Sequence, residues 1–511
     1  MAKSKYEYVK SFELEDEIMP PNIIVVRIDG RDFRRLSELH EFEKPYDRKS
    51  LELMNACAMS VLEQFKDISF SYGFSDEYSF VFKKGTEFYK RRASKIHSLT
   101  VSFFTSVYVA KWKEFFPQKS LRYAPSFRSR VICCASMEVL QAYLLWRQIE
   151  CHSNNQYDTC FWQLIKSGKT EKEAEEMLKV PSSPAKGGGL GSQKQVKNEL
   201  LYQSFNINYK KDIPEIFRQG TCVYRTEKFI DNGCHVKRPR NIITVHSKNI
   251  ASRRFWNEQS CLLEELGQFS EDLNKTKAHY VRSFQYESRL MPFTWIVIRV
   301  DGCHFQRFSK DLEFEKPNDV QALNLMNSCA ACVLEEFMDI VFAYGDSDEY
   351  SFVLKRESQL YGRHASEIVS AVVSLFSSIY TMKWNDFFPR KEMKRPPYFD
   401  ARAICYPSRR MVWAGPGMRG HINNQYNTCY WMLVKSAISE PYKYLKGTRT
   451  QEKNELLDQL SGVSDYYNTL SPMFRHGSSV YWDRVSVSLP PSLLGVLANQ
   501  ADREPLEKKL A

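Results

Sequence analysis

No apolar run in this 511-residue chain approaches the length of a membrane-spanning helix. The opening Met1-Ala2-Lys3-Ser4-Lys5-Tyr6-Glu7 lacks a signal-peptide core. Neither a membrane segment nor a secretory leader is therefore expected. An even, regularly spaced set of cysteines is also missing: there are 13, scattered and mostly in apolar segments. This points to reduced thiols in the nucleus or cytoplasm and excludes a disulfide framework. Cys329-Ala330-Ala331-Cys332 has metal-like spacing, but it lies in a helical pattern whose first copy carries Cys57 and Ser60, so small core-facing residues are the better reading. What is present is a globular composition, 43% hydrophobic and 14% aromatic. The length exceeds what one core usually fills, so two or more domains are expected. A net charge of +11 is compatible with a polyanionic partner.

The chain is organised around two copies of one carboxylate pair. Asp29 ends the apolar run Ile23 to Ile28 and lies 47 residues before Asp76 of Ser75-Asp76-Glu77-Tyr78-Ser79-Phe80; Asp301 and Asp348 repeat this spacing 272 residues later. Oxygen ligands of this kind hold Mg²⁺ when phosphates complete the octahedron, and two such metals can clamp an in-line displacement at phosphorus.

The elements around each pair follow one order. Residues 22–28 predict a buried strand. Pro45-Tyr46-Asp47 opens a helix with apolar residues Leu51, Met54, Ala58, Val61, Leu62 and Phe65 on one face. Residues 67–72 and 77–83 predict a hairpin, 87–116 one long helix stopped by Pro117, and 129–134 another strand. This is β-α-β-β-α-β, an α+β (α/β sandwich) class with a ferredoxin-like sheet, in which the end of strand one meets the hairpin turn. Alternate strand residues face opposite ways, so Glu77 joins Asp76 only where the turn re-aims it. Lys90, Arg91, Arg92 and Lys95 would form a cationic strip on about one and a half helical turns.

A helix over 136–149 follows, then a polar stretch, Cys151 to Trp162, ahead of an apolar helix. Pro181 to Gly191 reads as a mobile loop, 226–260 as basic and irregular, and 261–279 as a charged helix joining the halves. His235-Val236-Lys237-Arg238-Pro239-Arg240 is a weak nuclear-import candidate. The second half restarts at Tyr280 to Phe284, matching Tyr8 to Phe12, and runs in register to Cys405; His421-Ile422-Asn423-Asn424-Gln425-Tyr426 and Lys453-Asn454-Glu455 match the His152 and Lys197 stretches. We therefore expect repeats over 1–270 and 271–511, a duplicated domain.

The ordered motifs Arg-x-Asp-Gly-Arg-x-Phe (27–33), Tyr-Gly-x-Ser-Asp-Glu-Tyr-Ser-Phe-Val-Phe (72–82), Arg-Arg-Ala-Ser-Lys (91–95), Trp-Arg-Gln-x-x-Cys-His-x-Asn-Asn-x-Tyr (146–157), Lys-Asn-Glu (197–199) and Phe-Asn-Ile-Asn-Tyr (205–209) resemble the tRNA-histidine guanylyltransferase family, in its tandem plant form. The resemblance implies a polymerase-palm-like fold. It also implies ATP activation of the 5′-monophosphate of tRNA-His, attack by the GTP 3′-hydroxyl, removal of pyrophosphate and a guanosine at position −1. Asp29, the Gly30 carbonyl and Asp76, and likewise Asp301, Gly302 and Asp348, would bind two Mg²⁺ per palm, with Glu77 and Glu349 in support. Arg27, Arg31, Asp32, Phe33, Arg34, Lys44 and Ser75 would meet GTP or ATP, with Arg299, Cys303, His304, Phe305, Gln306, Lys316 and Ser347 as second-copy counterparts. Arg92, Lys95, His152, Asn155, Lys197 and Asn198 would handle the activating nucleotide or the tRNA 5′ end, with His421, Asn424, Lys453 and Asn454 in the second copy. A homo-oligomer of tandem chains is expected.

The copies depart from the family and from each other. A histidine of the family's first motif is Arg34 in one copy and Gln306 in the other. Arg128 stands where the second copy has Asp400, Trp-Arg-Gln is lost before His421, and His364 and Glu367 replace Arg92 and Lys95. We expect the first copy to carry 5′-end activation. Two other classes stay open: a palm-type nucleotidyl cyclase, and a catalytically idle tRNA-binding or assembly protein.

Overall fold

The computed structural model describes residues 12, 16–179, 190–230, 238–246, 248–250, 253–267, 286, 288–414 and 416–483. The chain divides into two compact units, one built mainly on Glu17–Thr100 and Val107–Tyr286, the other mainly on Glu287–Ala511.

The first unit is mixed α/β around a six-stranded sheet. β1 (Ile23–Arg31) leads through the short α1 (Phe33–Leu39) to α2 (Arg48–Gln64). The Asp47 side chain caps α2 by accepting the Ser50 amide, satisfying one of the first-turn donors. β2 (Ile68–Phe74) and β3 (Glu77–Phe82) form the expected hairpin, followed by α3 (Ala93–Phe115), β4 (Ser126–Cys134) and α4 (Met137–Lys166). β5 (Thr221–Ile230) and β6 (Arg238–His246) complete the sheet in the order β4-β1-β3-β2-β5-β6, every neighbouring pair antiparallel. One sheet face buries Ile23, Val25, Phe70, Tyr72 and Val81 against Leu140, Tyr143 and Leu144 of α4. On the other face Phe127 packs against Phe33 and Tyr108 of α3.

Among the described residues, the second unit repeats the plan without the last strand. β7 (Trp295–Gly302), β8 (Ile340–Asp346), β9 (Glu349–Leu354), β10 (Phe399–Tyr406) and β11 (Ser478–Tyr481) run in the order β10-β7-β9-β8-β11. Its helix Val320–Glu336 is capped by Asp319 as α2 is by Asp47. Cys329 is buried and Cys332 half-buried on that helix as free thiols, and every described cysteine is free.

Several expectations are corrected. The helix over 87–116 is broken: Lys90 and Arg91 have left-handed backbone, φ 54° and 55°, and α3 starts at Ala93. Arg91 is buried and donates to the carbonyls of Ile18, Thr86 and Asn22 at 2.8, 3.0 and 2.6 Å, so it anchors the backbone and the four-residue cationic strip does not exist. Residues 136–149 and the polar stretch after them are one 30-residue helix, α4, whose polar side chains bond to neighbouring segments. The stretch 226–260 is not irregular: it holds most of the β5–β6 ribbon and the helix Arg253–Asn257, the alternation having been hidden by charged residues. The helix Ala365–Met382 does reach membrane-spanning length and hydropathy, its five serines having disguised the run; 78% of it is buried inside the protein. The 181–189 loop, most of the restart at 280–284 and its match at 8–12, residues 235–237 and most of 261–279 lie outside the described residues.

Candidate active site

The site begins with β1. Its β-branched run is buried on both sheet faces until Asp29 and Gly30, where the strand meets the hairpin turn. The Gly30 amide donates to the Asp76 carbonyl at 3.0 Å, which brings the two aspartates together across the 47 intervening residues. A Cβ at Gly30 would meet Phe33 at 2.2 Å and an Asp76 carboxylate oxygen at 2.8 Å, so only glycine admits this approach. The turn is tight: Phe74 pairs with Glu77, and Ser75 has φ 52°. Burial first, and then the charge of Asp29, pushes the Asp76 carboxyl up to about 6.

Register places further charges on the same face. Asp29 lies opposite Glu77 on β3 and opposite Arg128 on β4. Arg128 Nη2 donates to Asp29 Oδ2 at 3.0 Å. Glu77 is held by a fork of two 2.6 Å bonds from Arg147 of α4, with Arg27 Nε 3.9 Å away. Burial raises the Glu77 carboxyl, and Arg147 and Arg27 oppose that rise. Glu77 is thus pinned by α4, while Asp76 stands in the turn. The role of Arg147 was missed in the sequence, although its Trp-Arg-Gln motif, lost in the second copy, was the available signal.

The second unit makes the same approach with different neighbours. The Gly302 amide donates to the Asp348 carbonyl at 2.9 Å. Asp301 lies opposite Glu349 and opposite Asp400. Glu349 is paired with Arg299 of its own sheet. Asp346 occupies the place of Phe74, whose ring packs on Arg147 in the first unit. Burial, then Asp348, Asp400 and Glu349, raise Asp301 to about 7. Burial also raises Asp348, and raises Asp346 to about 7.

The other expected residues divide between this cluster and a second patch. Arg31 reaches Ser126 and Asp32, Phe33 lines the wall under Gly30, and Arg34 is exposed and paired with Glu38 at 2.9 Å. In the second unit His304 (φ 58°) precedes the helix Phe305–Asp311, Phe305 packs at a tilt against Phe399, the Cys303 amide bonds the Tyr398 carbonyl, and Gln306 is exposed. Ser347 repeats the strained turn of Ser75, φ 57°. The second patch lies on the later turns of α4. Lys44 sits over Trp162 and Lys197 over Tyr157, 5.8 and 5.3 Å from the ring centres, and both oppose the burial-driven rise of the Asp158 carboxyl. Asp158 accepts a 2.5 Å bond from Tyr46. Asn155 is buried under the Tyr209 hydroxyl, His152 stacks edge-on to Tyr209, and Asn198 accepts from Gln156. Arg92 and Lys95 start α3, with Lys95 over Tyr89. In the second unit Lys316 packs over Trp431, Asn424 reaches the Arg475 carbonyl, Asn454 accepts from Gln425, and Lys453 is buried against Thr448. The His421 side chain lies outside the described residues.

Two carboxylates beside a backbone carbonyl form a hard-oxygen donor set that fits Mg²⁺. Among the described residues no group of three His, Cys, Asp or Glu side chains is arranged to hold a metal, so phosphate and solvent oxygens would have to complete the shell.

Comparison with known proteins assigns the class. The family model described as tRNAHis guanylyltransferase matches residues 6–135 and again 278–407, and that of the family's C-terminal domain matches 138–261 and 416–509. By class the chain is a nucleotidyltransferase with its module duplicated. It is 60% identical to tRNA(His) guanylyltransferase 1 of Arabidopsis thaliana over 94% of this chain and 84% of that protein, and 58% identical to tRNA(His) guanylyltransferase 2 of the same plant over 94% and 91%. The crystal structure of the Saccharomyces cerevisiae enzyme shares 40% identity over 40% of this chain and 93% of its own, with a TM-score of 0.38. The chain belongs to the tRNA-His guanylyltransferase family.

Proposed function

We propose that this chain adds a guanosine to the 5′ end of tRNA-His, at position −1, by 3′-to-5′ addition. The 5′-monophosphate attacks the α-phosphorus of ATP and displaces pyrophosphate. The 3′-hydroxyl of GTP then attacks the activated 5′-phosphate and AMP leaves. Hydrolysis finally removes pyrophosphate from the added guanosine. The observation that carries this reading is the twice-built approach of a strand-end aspartate to a turn aspartate, Asp29 to Asp76 and Asp301 to Asp348, each tied by a glycine amide. The strand order β4-β1-β3-β2, with the site at the strand end, supports the ferredoxin-like palm.

Phosphoryl transfer needs positioned charge more than covalent help from the protein. Asp29, Gly30 and Asp76 would hold Mg²⁺ in the first unit, and Asp301, Gly302 and Asp348 in the second. When bound, that ion neutralises developing charge on phosphate oxygens. Arg27 and Lys44 add fixed positive charge, and Lys197 joins Lys44 at the α4 patch, a suitable place for a 5′-phosphate. Pairing of tandem chains and a nuclear or cytoplasmic place of action belong to the same reading. The test is purified full chain with ATP, labelled GTP and 5′-monophosphorylated tRNA-His, scored at the 5′ end. Lengthening by one nucleotide is expected. A cyclic nucleotide formed without RNA, or tRNA binding with no lengthening, would overturn the proposal.

A further inference from the structure

The two carboxylate pairs differ most at one cross-strand position. Arg128 faces Asp29 on β4, and Asp400 faces Asp301 on β10. The neighbouring positions do not differ in this way, since Arg130 faces Arg27 as Arg402 faces Arg299. Arg128 Nη2 bonds Asp29 Oδ2 at 3.0 Å, with the two side chains only 31% and 22% exposed. The guanidinium therefore already offsets the charge of Asp29, and it occupies lone pairs of one carboxylate oxygen. The other oxygen stays available, because a carboxylate offers about four acceptor sites. An ion entering here must share Asp29 with a fixed positive charge; an ion entering the second unit meets a carboxylate at that place.

We infer that Arg128 is a built-in counter-cation that weakens divalent-metal binding by the first unit, so that the second unit is the tighter metal site of the chain. The inference rests on the metal assignment above. Arg128 acts through Asp29 and is a positioning residue. The first unit then acquires its ion chiefly together with nucleotide phosphates, which bring their own oxygen ligands, whereas the second binds the free ion.

The test uses the full chain without nucleotide, titrated with Mn²⁺ and read by electron paramagnetic resonance; thermal melts without metal check that each variant folds. Two classes of site are expected, at least tenfold apart, a difference of about 1.4 kcal/mol. Asp348→Ala should remove the tight class and Asp76→Ala the weak one. Arg128→Asp should tighten the weak class by roughly tenfold, the scale of one partly exposed charge-assisted hydrogen bond. The reciprocal Asp400→Arg should weaken the tight class, and it decides the matter if Arg128→Asp fails to fold. Equal classes unmoved by either exchange, or a tight class lost in Asp76→Ala, would overturn this inference and leave the metal assignment standing. No Mn²⁺ bound in either unit would overturn both.

Discussion

The two units build the same strand-end approach and then balance its charge differently. In the first, Arg128 answers Asp29, and Arg147 with Arg27 answers Glu77. In the second, Asp400 stands in place of Arg128 and Asp346 in place of Phe74, so carboxylates gather around Asp301 with Arg299 committed to Glu349. The backbone of a duplicated site is kept by main-chain hydrogen bonds, above all the glycine amide to the turn carbonyl, and these ask little of the sequence beyond the glycine itself. Its electrostatics rest on a few side chains and can diverge while the fold is kept. Asymmetry outside the cluster points the same way. Even with Arg91 and its counterpart Arg363 removed as buried backbone anchors, Lys90, Arg92 and Lys95 face Gly362, His364 and Glu367 in the comparison.

The comparison can be broken most severely by removing the strand-end carboxylate from both copies. Asp29→Ala with Asp301→Ala should reduce guanosine addition by roughly a thousandfold in a tRNA-extension assay, with the fold retained by circular dichroism. Unchanged addition would refute the metal assignment in both units. Next comes the arginine on which the first unit alone depends. Arg147 and Glu77 are only 5% and 14% exposed, so Arg147→Ala leaves a buried carboxylate with only Arg27 at 3.9 Å to offset it and should cost about 3 kcal/mol in denaturant unfolding. Arg299→Ala, at the more open pair in the second unit, should cost about 1 kcal/mol.

A smaller effect sharpens the contrast through pH. Burial raises Asp346 to about 7, above its ordinary value near 4. Its neutral form therefore contributes stability that is fully present below the ordinary value and lost as pH rises through about 7. With metals chelated, Asp346→Asn should be weakly stabilising to unfolding at about pH 5 and more strongly stabilising at about pH 8; the opposite order would contradict the burial argument. The smallest effect is on tRNA affinity. It should fall roughly tenfold or more between low and physiological salt in the parent chain, and less steeply once Lys90, Arg92 and Lys95 are neutralised.

Much of this was legible in the sequence. The apolar run ending at Asp29, the Gly-Phe-Ser-Asp turn and the duplicated spacing placed both pairs, because strand period and turn chemistry are local. The break before α3 was not legible: of the left-handed Lys90 and Arg91, Arg91 is held by contacts with Ile18 and Asn22, far away in sequence. Arg147 was visible only as a motif residue, since its partner Glu77 lies 70 residues away. The exchange of Arg128 for Asp400 is visible in the sequence, but its meaning depends on the register that sets each against its strand-end aspartate. The β5–β6 ribbon was not legible because charged residues interrupt the alternation on both strands.

The division of labour between the copies has one direct measurement: adenylylated tRNA-His formed from ATP with GTP absent, in Asp76→Ala and Asp348→Ala separately. The account predicts that Asp76→Ala loses most of the product and Asp348→Ala keeps most of it. Equal losses would mean that the two copies share activation, and the reverse order would contradict the assignment of activation to the first unit.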